Sequence, residues 1–180
     1  MKFFRLFIKK LLRYLLKPLS FVPALCMMYL IYTFSGQPAE VSSVLSESVT
    51  VKILRLFFRV LQYDVSQDQF LYYLALFHGL IRKCAHILEY FFLAVFISLP
   101  LYVYKLRGFK LVLVSALFCL LFASLDEYHQ TFVPGRSGSP RDVLIDSIGI
   151  FPGIYLTRIF GWLGRMTIFK PLTLDDSAAK

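Results

Sequence analysis

Four apolar runs set the pattern of this chain: Leu19–Phe34, Cys84–Tyr104, Phe109–Leu125 and Val143–Trp162. Crossing the roughly 30 Å hydrocarbon core of a bilayer takes about 20 mostly apolar residues as a helix. The first run is short, and Leu15–Lys17 extend it, with Lys17 snorkelling toward headgroups. Pro23 falls in its first turn, where a missing N–H costs least, and the Ser35-Gly36-Gln37-Pro38 cluster stops it. These runs predict an all-α, polytopic membrane bundle of about four transmembrane helices.

The long interval Ala39–Ile81 carries its own periodicity. Over Val51–Leu61, Lys52, Arg55 and Arg59 recur at three- and four-residue steps while apolar residues fill the rest. That is an amphipathic helix suited to the membrane interface, or a short helix packed on the bundle. Tyr63–Asp68 breaks it. Ser66-x-x-Gln69 then reads as a capping box, opening a helix that runs through Phe70–Ile81 into the second span.

Composition and charge sharpen this picture. The chain is 58% hydrophobic over 180 residues, above the ~45–50% of soluble domains. Its net charge of +9 does not point to nucleic acid. Lys2, Arg5, Lys9, Lys10, Arg13 and Lys17 crowd a basic amphipathic segment at residues 1–18, and no nucleic-acid motif accompanies them. This segment is expected to lie on membrane lipids, and the first span to stay uncleaved because no A-x-A-like site follows. Residues 19–163 form the transmembrane domain and residues 164–180 a cytoplasmic tail. Cys26, Cys84 and Cys119 have no metal-finger spacing and read as small buried hydrophobes. Cationic loops stay in the cytoplasm. Lys105, Arg107 and Lys110 between the second and third spans, and Arg165, Lys170 and Lys180 after the fourth, therefore join the N-terminus inside. Both termini are expected in the cytoplasm.

The sequence concentrates its chemistry where these spans reach the outer face. Arg82, His86 and Glu89 share one helical face with Tyr90 beside it, and Lys83 adjoins them. Asp126, Glu127, His129 and Gln130 end the third span; Asp142 and Asp146, four residues apart, open the fourth. Arg136 and Arg141 flank a Gly/Ser/Pro loop whose N–H groups suit an anion. Ionisable groups near lipid are costly and mark functional sites. His86, Glu89, Asp126, Glu127, His129 and Asp146 are the acid–base candidates; Arg82, Lys83, Tyr90, Gln130, Arg136, Arg141 and Asp142 are the ligand-binding candidates.

Three blocks carry a resemblance: RKCAHILEYF, SLDEYHQTFVPGRSGSPRDVLIDSIG and an upstream YTFSGQP. Together they resemble the VanZ-like family of bacterial membrane proteins, over about Ser35 to Gly153. Leu125 and Pro152 depart from that pattern in ways that bear on packing. The resemblance implies a multi-pass protein of the bacterial cytoplasmic membrane, linked to resistance to the glycopeptide teicoplanin. A cell-wall precursor or the glycopeptide itself is then an expected ligand.

Three functional readings fit the polar blocks. One is a hydrolase or transferase acting on an envelope lipid phosphate or wall precursor, with a histidine as acid or base. Another is a binding module that recognises an anion or a partner without chemistry. The third is a divalent metal site from His86, Glu89, Glu127, His129 and Asp146; otherwise no cofactor is expected. A purely structural explanation is also open. In it Glu89 pairs with Arg82 or Arg136, and Asp146 with His129, to fix helix docking.

Overall fold

The structure is a computed structural model that describes residues 18–166. The basic segment over residues 1–17, the extension of the first span into it, and the tail after Met166 lie outside the described residues. Five α-helices follow in order: α1 Val22–Ser35, α2 Ala39–Val60, α3 Gln67–Val103, α4 Gly108–Gln130 and α5 Pro140–Met166. Among the described residues there is no strand.

Three of these helices, α3, α4 and α5, are long and apolar enough to cross a membrane. At 1.5 Å per residue, the 23 residues of α4 reach about 34 Å, enough for the hydrocarbon core. Only 33, 28 and 33% of the most apolar stretches of α3, α4 and α5 are buried within the protein. Their remaining faces present Leu88, Phe92, Leu117, Leu121, Leu144 and Ile148 outward, a surface that lipid solvates and water does not. The expected first span is a helix of only 14 residues, about 21 Å long, and is shorter than the other three.

One boundary differs from expectation for an identifiable reason, and a second falls as the sequence predicts. The stretch 39–50, too rich in serine to show periodicity, is helical and forms the first half of α2. Thr50 bonds back to the Ser46 carbonyl at 2.8 Å, and Ser46 Oγ meets His78 Nε2 of α3 at 2.9 Å, so α2 is held by tertiary contact. The second span is the latter part of one continuous 37-residue helix. Its capping box forms as the sequence predicts: Gln69 N–H donates to Ser66 Oγ at 3.4 Å, and Ser66 N–H to Gln69 Oε1 at 3.2 Å. The cysteines are free, but only Cys119 is buried. Cys26 and Cys84 sit on outward faces of α1 and α3, where lipid can take the place of a protein interior.

The closest seam joins α3 to α5. Gly149, Gly153, Thr157 and Gly161 stand at four-residue steps on one face of α5. A Cβ added at Gly149 would lie 2.0 Å from the Ile87 carbonyl oxygen, and one at Gly153 2.5 Å from that of Phe91. Farther along, Ser98 Oγ donates to Thr157 Oγ1 at 2.8 Å and the Tyr102 hydroxyl to the Gly161 carbonyl at 2.7 Å. Contacts that advance together along both helices make them parallel, with α4 returning between. The amino-terminal part of α3 extends beyond this seam and pairs with α2 as a helical hairpin, with Phe58 of α2 against Phe70 and Tyr73 of α3.

Candidate functional site

Parallel α3 and α5 with antiparallel α4 bring the end of α4, the start of α5 and the middle of α3 to one end of the bundle. Two loops interlock there. Ala39 N–H donates to the Pro134 carbonyl at 3.2 Å, and Arg136 Nη2 donates to the Phe34 carbonyl at 3.0 Å. Gly135 adopts φ +73°, and a Cβ on it would stand 3.0 Å from that of Ala39. Glycine serves both the left-handed turn and the close approach. At Gly138 a Cβ would lie 2.1 Å from the Glu127 carbonyl oxygen, so the loop passes directly over the end of α4.

Asp126 anchors this end. It is buried and accepts from the Ser35 hydroxyl at 2.5 Å, from Gln130 Nε2 at 3.3 Å and from the Tyr90 hydroxyl at 3.4 Å. Those donors come from α1, α4 and α3. Glu127 accepts the Ser139 N–H at 2.8 Å. Ser139 caps α5: its hydroxyl accepts the Arg141 N–H at 3.2 Å.

Beside this anchor lies a cavity of about 320 Å³. Arg82, Lys83 and Arg136 line it together with His86, Glu127 and Gln130. Asp142 and Asp146 complete its polar wall. A second cavity of about 160 Å³ adjoins it, sharing Arg82, His86 and Arg136 and adding Glu89. Asp126 and Tyr90 support the site from beneath. His129 faces the other way: its ring stacks on Tyr32 of α1 at 4.6 Å, and its buried Nδ1 has no hydrogen-bond partner. Arg141 is exposed and lines neither cavity.

The charges are not paired as a docking network would pair them. Among the described residues the only side-chain ion pair within 4 Å is His86 Nδ1 with Glu89 Oε2, at 3.4 Å. The pairs that the purely structural explanation requires, Glu89 with Arg82 or Arg136 and Asp146 with His129, do not form. Glu89 lies one helical turn from His86 and two from Arg82, so the nearer partner wins. Arg136 Nε is buried with no hydrogen-bond partner, and desolvation, reinforced by Arg82, pulls its guanidinium below its ordinary value. Asp146 is 3% exposed and makes no side-chain hydrogen bond. No three His, Cys, Asp or Glu side chains converge as a metal ion requires among the described residues.

Sequence reasoning missed three contributors. Ser35 sits inside the quoted YTFSGQP block but reads locally as a turn former. His78, which ties α3 to α2 through Ser46 and the Ser43 carbonyl at 3.3 Å, carries no local signal. The small-residue stripe of α5 was visible as a four-residue spacing, the familiar signature of close helix packing in lipid.

The architecture is that of a helical membrane protein with one polar, partly unpaired end. Residues 20–161 match the VanZ/LLP1 family, and the chain belongs to it. No curated protein and no solved structure matches it.

Proposed function

We propose that the polar end faces outward from a bacterial plasma membrane and engages a wall- or lipid-linked anionic ligand, contributing to tolerance of glycopeptides such as teicoplanin. One observation carries this reading. Arg82, Lys83 and Arg136 border a cavity, yet none has a carboxylate within 4 Å. Partial desolvation of the Arg136 guanidinium without a carboxylate partner is costly, and an arriving anion relieves that cost through charge-assisted hydrogen bonds. The family supports an envelope role for the same site. The test is binding of anionic wall and lipid precursors to the full chain in lipid nanodiscs. Arg82→Ala and Arg136→Ala are each expected to weaken binding about tenfold or more. Expression of the same variants should lower the teicoplanin concentration that cells survive. Unchanged affinity in both variants would overturn the reading.

Catalysis is the second reading, favoured by the His86–Glu89 pair beside the cavity. A carboxylate that orients an imidazole is the usual arrangement of a general base. In the same nanodiscs, a bound precursor converted by the wild-type chain and left intact by His86→Gln would establish an enzyme. Retained binding without product leaves a recognition module.

A further inference from the structure

The polar cavity is one end of a longer groove. A third, apolar cavity of about 390 Å³ lies between α2 and α3. It shares Ile81 with the middle cavity, which in turn shares Arg82, His86 and Arg136 with the polar one. Two matched stripes form the walls. On α3, Tyr73, Phe77, Ile81, Ala85 and Glu89 stand at four-residue steps; on α2, Leu45, Val49, Ile53 and Phe57 do the same. Leu45, Val49, Ile53 and Phe57 are 52, 42, 47 and 54% exposed, so the α2 wall is not consumed by packing. From cavity to cavity the lining changes: apolar at Phe57 and Phe77, mixed where Ile81 meets Ser42, Ser46 and Glu89, and charged at Arg82 and Arg136.

Resting on the anion reading above, we infer that the ligand is a single-chain amphiphile, with its anionic head on Arg82 and Arg136 and its hydrocarbon chain between α2 and α3. Shape and charge together select that occupant. A soluble anion would leave the apolar end empty. A cationic or neutral lipid would leave the guanidinium groups unpaired at the head. Arg136 stands at the joint: it lines both polar cavities, holds the Phe34 carbonyl with one nitrogen and leaves Nε without a partner.

The test uses three simple probes on the full chain in lipid nanodiscs: butyl phosphate, dodecyl phosphate and dodecyltrimethylammonium. Dodecyl phosphate is expected to bind about tenfold or more tighter than butyl phosphate. Ile53→Trp, which fills the groove from a half-exposed position, should remove most of that gap without changing butyl phosphate binding. A photoreactive group at the far end of the dodecyl phosphate chain provides a readout needing no variant. It should label α2 over 53–58 and α3 over 73–81, and excess butyl phosphate should suppress that labelling. If both phosphates bind equally, or if dodecyltrimethylammonium carrying the same photoreactive group labels the groove as strongly as the phosphate does, the groove assignment is overturned while the anion site stands. If no phosphate binds, the anion site fails and takes this inference with it.

Discussion

Asp126 takes hydrogen bonds from its own helix and from two others, which makes it the point where α1, α3 and α4 are registered against each other. Its shortest bond comes from Ser35, 91 residues away in sequence. Ser35→Ala would leave one oxygen of a buried carboxylate short of its best donor, at a cost of about 1–3 kcal/mol. We expect a lower unfolding midpoint for the purified variant in detergent, with Ser35→Thr closer to wild type because it keeps the hydroxyl. Equal midpoints for Ser35→Ala and wild type would mean Asp126 is satisfied without α1. Asp126 itself was legible in the sequence, because a carboxylate at the end of an apolar run needs a reason. Its donor was not, because serine beside Gly36 and Pro38 suits a turn equally well, and no local rule shows a hydroxyl reaching another helix. The same limit explains the ion pairs that did not form. Helical spacing identifies which residues share a face, but not which opposite charge a neighbouring helix presents.

Helices that pack in lipid gain little from burying apolar area, since lipid tails are as apolar as leucine, so close backbone approach carries more of the association. The α5 stripe of Gly149, Gly153, Thr157 and Gly161 is that device. Gly149→Ala would force a Cβ to within 2.0 Å of backbone on α3, a contact no rotamer change can relieve. Overpacking of this kind costs about 1–3 kcal/mol or more. Gly79→Ala is the internal control: a Cβ there meets nothing within 4 Å, and loss of a mid-helix glycine should be neutral or stabilising by about 0.5–1 kcal/mol. The expected result is reduced folded yield and earlier thermal unfolding for Gly149→Ala, and neither for Gly79→Ala. Similar behaviour of the two would show that the seam tolerates separation. The stripe could be read from the sequence alone; its partner could not, because either α3 or α4 could have received it. The first half of α2 was illegible for another reason. Its serines favour local bonds to the backbone over helical periodicity, and the Ser46–His78 contact from α3 is what holds them.

At the scale of the whole molecule, both ends of the bundle carry arginines but use them differently. At the polar end Arg82 and Arg136 line cavities among carboxylates. At the other end Arg107 lies over the Tyr102 ring at 5.1 Å and Arg158 over that of Tyr155 at 5.5 Å. These four side chains and Trp162 line one cleft. Arginine on aromatic faces near helix ends is the composition of a membrane-interface anchor. Lys105 and Arg107 between α3 and α4, with Lys110 in the first turn of α4, put three cations and no acid at that end, the loop charge that the proposed outward-facing cavity requires on the cytoplasmic side. Sided labelling tests this directly. In a background with Cys26, Cys84 and Cys119 replaced by alanine, Ser137→Cys sits at the exposed rim of the cavity and Lys105→Cys on the opposite loop. A membrane-impermeant maleimide added to intact cells should modify Ser137→Cys at once and Lys105→Cys only after permeabilisation. The reverse pattern would turn the cavity toward the cytosol, where no wall-linked ligand is within reach. The grouping of Arg82, His86, Arg136 and Asp146 would survive that result, because it depends on parallel α3 and α5 and not on which side of the bilayer they begin.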